Sequence, residues 1–203
     1  MRMRIIYFLV FLWCAPVFAT PEARLGELLS HFNSYSAHFT QKTYANRQQA
    51  RITEGEVVLL RPGYFRWETT TPLNQSIIAT PKNVWIYDVE LAQATHSQMN
   101  DEGGSSPAHL LSGSNNYIQS QFTISRYVKT GSEEQFYLSP KQSNTNFSAM
   151  QLTFRNNELV GMQYKNNIGE TNQLIFTNIQ LNLPVSPNDF IFKPPPAVDV
   201  LDQ

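Results

Sequence analysis

The chain has 203 residues, a formal net charge of −1 and only 15% charged side chains. That balance excludes a basic nucleic-acid surface, and no Lys/Arg cluster is dense enough to hold the chain on an anionic lipid surface. With one cysteine, Cys14, a disulfide framework is excluded as well.

The first predicted element is an export signal over residues 1–19. Met1 to Arg4 is basic, Ile5 to Ala15 is apolar, and Val17 to Ala19 offers the small side chains that a signal peptidase accepts. The apolar stretch is shorter than the roughly 20 residues a membrane-spanning helix needs. Cleavage is expected after Ala19, which removes Arg2, Arg4 and Cys14 and takes the formal charge from −1 to −3. Phe11, Leu12 and Trp13 precede Cys14, where lipid attachment requires small residues, so no covalent lipid anchor is expected. Residues 20–203 fit one domain, and without a thiol it must be held by its core.

An amphipathic helix opens this domain. Leu25, Leu28, Leu29 and Phe32 fall at i, i+3, i+4 and i+7 and form one stripe. Pro21 suits the first turn and Glu22 the positive end of the helix dipole. From Ser36 onward a period of two takes over, with about eleven strands separated by turn residues such as Asn74, Pro81 with Asn83, and Glu90. Ahead of these breaks Val57, Leu59 and Arg61 share a face, Pro62 and Gly63 end the run, and Tyr64, Phe65 and Trp67 follow. Two readings of Arg61 stand side by side: a rim arginine with its head in water, or a guanidinium turned into a cavity.

The meander is interrupted once. Gly103 and Gly104 lead to Ser106, a helix cap, and Pro107 to Leu111, with Gly113 as the stop. This predicts a short helix bearing Leu110 and Leu111, either a second lid segment or a loop with one helical turn. The strands after it place Phe122, Ile124 and Val128 on one side, likewise Met150, Leu152 and Phe154, then Val160, Met162 and Tyr164, then Leu174 and Phe176. No helix is long enough for βαβ crossovers. The expectation is a mainly β fold, one large antiparallel sheet curled into a barrel or half-barrel, whose apolar face is either plugged by the helix or filled by an apolar ligand.

No catalytic constellation is present. His31, His38, His96 and His109 show neither HExxH spacing nor acidic partners at ligand spacing, no GxSxG elbow occurs, and Asp88 and Glu90 flank a turn. The expectation is therefore no enzyme, no metal and no cofactor.

Five stretches in order carry a resemblance. They are Phe39–Lys42 (FTQK), Arg61–Trp67 (RPGYFRW), Val84–Thr95 (VWIYDVELAQAT), Ser106–Gly113 (SPAHLLSG) and the closing DFIFKPPPAVDV. Together they resemble the outer-membrane lipoprotein carrier family, LolA, over essentially all of residues 20–203. The resemblance implies an unclosed β-barrel capped by an α-helical lid, with an apolar interior that takes up lipoprotein acyl chains in the periplasm. It implies that Arg61 latches the lid when the carrier is empty. It further implies that Phe65 and Trp67 flank the cavity, while Leu29 and Phe32 on the first lid helix and Leu110 and Leu111 on the second line it. The implied partners are acylated outer-membrane lipoproteins, an inner-membrane ABC-type releasing complex and an outer-membrane acceptor; since no exposed apolar stripe in the sequence demands a partner copy, a monomer is expected. Thr80 to Asn83 replaces the family's usual Asp-Gly turn, and His109 stands where the family is often apolar.

Three competing readings use the same scaffold. An envelope sensor of lipoproteins carries a second domain or an anchor, and neither is read here. The outer-membrane acceptor needs a lipid-attachment cysteine. A small-ligand enzyme needs a convergent trio of titratable groups in the cavity.

Overall fold

The computed structural model describes residues 20–45, 50–99, 107–114, 117–142, 147–166 and 168–202. The expected signal segment with Cys14, the Gly103–Ser106 lead and the side chain of His109 lie outside the described residues.

Helix α1 (Pro21–Ser30) forms where the leucine stripe predicts it. The Thr20 side chain caps it by accepting a hydrogen bond from the Ala23 amide at 3.2 Å. Ten residues are too few for an isolated helix to persist in water, so α1 depends on what its stripe packs against. Leu25, Leu28, Leu29 and Phe32 are all buried.

After α1 come β1 (Ser34–Tyr44), β2 (Arg51–Leu60), β3 (Tyr64–Thr71), β4 (Gln75–Ala79), β5 (Asn83–Asp88) and β6 (Gln93–Gln98). Two short helices follow, α2 (Pro107–Ser112) and α3 (Tyr117–Gln121). Then come β7 (Phe122–Thr130), β8 (Glu133–Pro140), β9 (Phe147–Arg155), β10 (Glu158–Asn166), β11 (Thr171–Leu181) and β12 (Asp199–Asp202).

The twelve strands form one sheet in the order β12-β6-β5-β4-β3-β2-β1-β11-β10-β9-β8-β7. Its two edges, β12 and β7, do not pair, so the curl stays open. Neighbours are antiparallel hairpins except at two places. β12 runs parallel to β6, and β1 pairs with β11 across most of the chain, Phe39 opposite Phe176 and Thr43 opposite Asn172. That seam joins two wings, each built from local hairpins.

The hairpin turns follow their chemistry. Asn156 and Asn157 both take left-handed φ, +52° and +67°, the two-residue turn whose twist matches that of its strands. At Thr80 to Asn83 the Thr80 hydroxyl accepts from the Asn83 amide at 3.1 Å, which explains why this turn does without an Asp-Gly pair. Asp88 and Glu90 serve turns too: Asp88 accepts from the Leu91 amide at 3.0 Å and Glu90 from the Asn74 amide at 2.9 Å.

The structure differs from the sequence expectation in four particulars. The strands number twelve, because the short exposed β12 adds to the edge. Tyr117 to Gln121 is helix, not the head of a strand. Ser125 is an extra residue in β7, so beyond it Tyr127, not Val128, turns to the core and packs on Phe136 with centroids 4.9 Å apart. Val160 is likewise extra in β10, and Leu159, 1% exposed, takes the core position instead.

One face of the sheet is concave and apolar, and all three helices lie against it. On the convex face residues 182–198 run back over the strands. There Phe190 packs on Tyr64 with centroids 5.7 Å apart, and Phe192 on Trp85 at 5.4 Å.

Candidate functional site

The site is the concave trough and its cover. Val57 and Leu59 on β2 project into it, and Arg61 continues that row just past the strand end. Both helices end there. The Arg61 guanidinium donates from Nε to the Leu111 carbonyl of α2 at 3.0 Å and from Nη1 to the Leu29 carbonyl of α1. Its plane lies over the Phe32 ring, 4.1 Å from the centroid. Of the two readings of Arg61, the inward one is the structure's. Burial draws its pKa down to about 10, so it stays charged at neutral pH while missing its water.

The backbone around Arg61 makes the same link. The Arg61 amide donates to Asn33 just after α1 at 2.8 Å, and the Gly63 amide donates to the Ser112 carbonyl of α2 at 2.8 Å. Gly63 has φ +83°, a conformation that suits a residue without Cβ, and it aims that amide at the helix.

Every residue expected to line the cavity lies in this one layer. Leu29, Phe32, Phe65, Trp67, Leu110 and Leu111 are all under 8% exposed and belong to one apolar cluster. Trp67 stacks on Phe39 with centroids 4.1 Å apart. Gly55 beside that stack leaves no space for a side chain, since a Cβ there would stand 1.9 Å from the Glu68 carbonyl oxygen and 2.9 Å from the Phe39 ring. The helices supply the plug: their leucines and Phe32 occupy the trough. The cover is not seamless, for a crevice of about 320 Å³ beside α1 and α3 is lined by Leu25, Ile118, Phe122 and Leu138.

Sequence reasoning missed a second fastening. Arg24 of α1 meets Glu134 of β8 with Nη2–Oε1 2.7 Å and Nε–Oε2 3.0 Å, and Tyr127 donates to the same carboxylate at 2.7 Å. Glu134 is 4% exposed, and the Arg24 guanidinium holds its pKa down at about 2. The partners stand 110 residues apart, so no local spacing announces them; an acidic residue in the apolar row of β8 was the available signal.

It also missed a polar end to the trough. Gln41 and Thr43 extend the row of Tyr35, Ala37 and Phe39, and both donate to the Asn172 Oδ1, at 3.1 and 2.7 Å. Among the described residues no helix is long and apolar enough to cross a membrane, and no group of three His, Cys, Asp or Glu is placed to hold a metal.

An open curled sheet whose apolar face is covered by short helices, with one buried arginine hydrogen-bonded to two of them, is the architecture of a container for an apolar ligand. The family profile "Outer membrane lipoprotein carrier protein LolA" matches residues 30–193. The outer-membrane lipoprotein carrier protein of Chromobacterium violaceum is 38% identical over 187 residues, 92% of this chain and 90% of that one. The protein of that name from Coxiella burnetii is 37% identical over 182 residues, 89% and 86% of the two chains. The chain belongs to the LolA family of outer-membrane lipoprotein carriers. Among solved structures, an uncharacterised conserved protein of Thermus thermophilus superposes with a TM-score of 0.55 at 13% identity, covering 89% of this chain and 98% of its own. A LolA superfamily protein of Nitrosomonas europaea gives 0.51 at 11% identity, covering 86% and 99%, and shares the fold.

Proposed function

We propose that the protein is a periplasmic carrier that covers the acyl chains of lipoproteins leaving the inner membrane and hands them on at the outer membrane. Residues 1–19 direct its export, and residues 20–203 work as one monomeric domain. A lipoprotein with three acyl chains exposes on the order of forty methylenes, and at about 0.8 kcal/mol each their transfer into water costs more than about 30 kcal/mol. Such a cargo needs a cover that also lets go.

The observation that carries the reading is Arg61, which ties the ends of α1 and α2 to the strand edge across an apolar trough. In the empty state the helix side chains fill the trough. Cargo chains displace them, so the net gain is a difference between two apolar contacts and not the full transfer energy. Opening also breaks the Arg61 hydrogen bonds, which re-form when cargo leaves. Leu29, Phe32, Phe65, Trp67, Leu110 and Leu111 line the space, and Arg61 is the latch. Energy for loading comes from an ABC-type releasing complex in the inner membrane, and an outer-membrane acceptor takes the cargo. No step requires a catalytic group.

An apolar fluorescent probe tests this directly. It is expected to bind the purified protein at micromolar concentration and to be displaced by a triacylated lipopeptide. A protein that leaves the probe dark, or that ignores the lipopeptide, is not a carrier of acyl chains.

A further inference from the structure

The concave row of β1 changes character along its length. Tyr35, Ala37 and Phe39 are buried among apolar neighbours, but Gln41 and Thr43, on the same face, are joined to Asn172 by hydrogen bonds. From Tyr35 at the helix end to Thr43 is eight residues of strand, about 26 Å. One leaflet of acyl chains spans about 15 Å. The trough is therefore long enough for a chain plus the polar group that bears it.

This polar end is built with spare donors. Asn172 is 4% exposed, and its Oδ1 accepts from both Gln41 and Thr43, while its Nδ2 donates to no described residue. Directly opposite Asn172 on β10 stands Tyr164, 9% exposed, whose hydroxyl makes no hydrogen bond with a described residue either. Burial, with the Glu170 carboxylate adding to it, pushes the Tyr164 pKa up to about 12, so the hydroxyl keeps its proton to donate. Buried donors without acceptors are costly, and an acceptor brought by a ligand removes that cost. Asn172 borders a hollow of about 590 Å³, with the Arg51–Glu170 pair, 2.8 Å apart, at its rim.

We propose that this end of the trough binds the glycerol ester carbonyls at the head of the cargo lipid, Tyr164 and Asn172 donating to them, with the acyl chains lying over Phe39 and Trp67 toward the helices. The inference rests on the carrier reading and adds an orientation to it. The chemistry recognised is a glycerol ester, which an acylated cysteine and a phospholipid both present.

The test compares a lipopeptide bearing ester-linked chains on its glycerol with the ether-linked counterpart, which lacks the ester carbonyls. The protein is expected to bind the ester form about threefold to tenfold more tightly, one hydrogen bond's worth. Tyr164→Phe is expected to shrink that preference while its unfolding temperature stays level or rises, because the lost hydroxyl had no partner among the described residues. Phosphatidylethanolamine with ester or ether chains forms a second arm. The same preference there assigns the site to glycerol esters from either source, and a preference confined to the lipopeptide assigns it to acylated cysteine. Equal affinity for ester and ether lipopeptides overturns this inference and leaves the carrier reading standing. A Tyr164→Phe protein that unfolds several degrees early makes the hydroxyl structural and also overturns it. Failure to bind either lipopeptide removes the carrier reading itself.

Discussion

Arg61 carries a charge into an apolar layer, and burial lowers its pKa to about 10. At neutral pH it is charged, so the latch proposed for it is insensitive to pH until about 10. On the opening proposed above it would give up its hydrogen bonds to the Leu29 and Leu111 carbonyls. Charge-assisted bonds of this kind contribute about 1.5–3 kcal/mol. Arg61→Leu removes that preference for the empty state, so cargo is expected to bind about tenfold tighter or more and to pass to an acceptor more slowly. Lipopeptide affinity and transfer rate measure the two halves of that statement, and normal transfer would refute the latch. Glu134 behaves differently. Its folded pKa of about 2 lies below the ordinary 4.5, so it contributes stability that is full above about pH 4.5 and is lost as pH falls toward 2. Acid unfolding of Glu134→Gln is expected to be flatter over that window. Arg24→Met, which leaves the buried carboxylate short of its main partner, is expected to cost about 3 kcal/mol in denaturant unfolding.

The two helices that Arg61 joins are not equally held. α1 is pinned near its start by Arg24 to Glu134, and near its end the Asn182 side chain donates to the His31 carbonyl at 3.1 Å. α2 is a six-residue helix packed on β2 and β3, too short to persist without that packing. On binding a lipopeptide, amides of 107–112 are therefore expected to exchange hydrogen faster, while those of the middle of α1 and of β1 stay protected; a loaded α2 as protected as the empty one would refute the picture. The elements themselves were largely legible in the sequence. The leucine stripe of α1, the row Val57, Leu59, Arg61 and the paired asparagines of the β9–β10 turn each carry a local physical signal. What was not legible has equally local reasons. Alternation continues in the letters across Ser125 and Val160, while each bulge reverses the faces beyond it. Tyr117 to Gln121 runs straight into the β7 sequence and is too short to show a helical stripe. β12 offers four exposed residues and takes its place only because the chain before it is laid over the convex face. The expected site residues all lie at the covered trough, most of them in unbroken stretches of helix or strand whose inward face the local pattern sets.

At the scale of the molecule, the sheet is sewn together by contacts far apart in sequence. Phe190, 1% exposed, closes the convex side over Tyr64, so Phe190→Ala is expected to cost about 3–5 kcal/mol, read as a lowered denaturation midpoint without loss of probe binding in the folded protein. The β1–β11 seam has a consequence of another kind. A chain threaded through a membrane pore emerges in order, and β1 then waits for a partner strand more than a hundred residues behind it. Until β11 arrives, the greasy side of the first wing faces water with a raw margin at Ser34–Tyr44, and loop-closure entropy slows the final stitch. A protein built to shield other molecules' hydrocarbon thus passes through a stage in which its own lies bare.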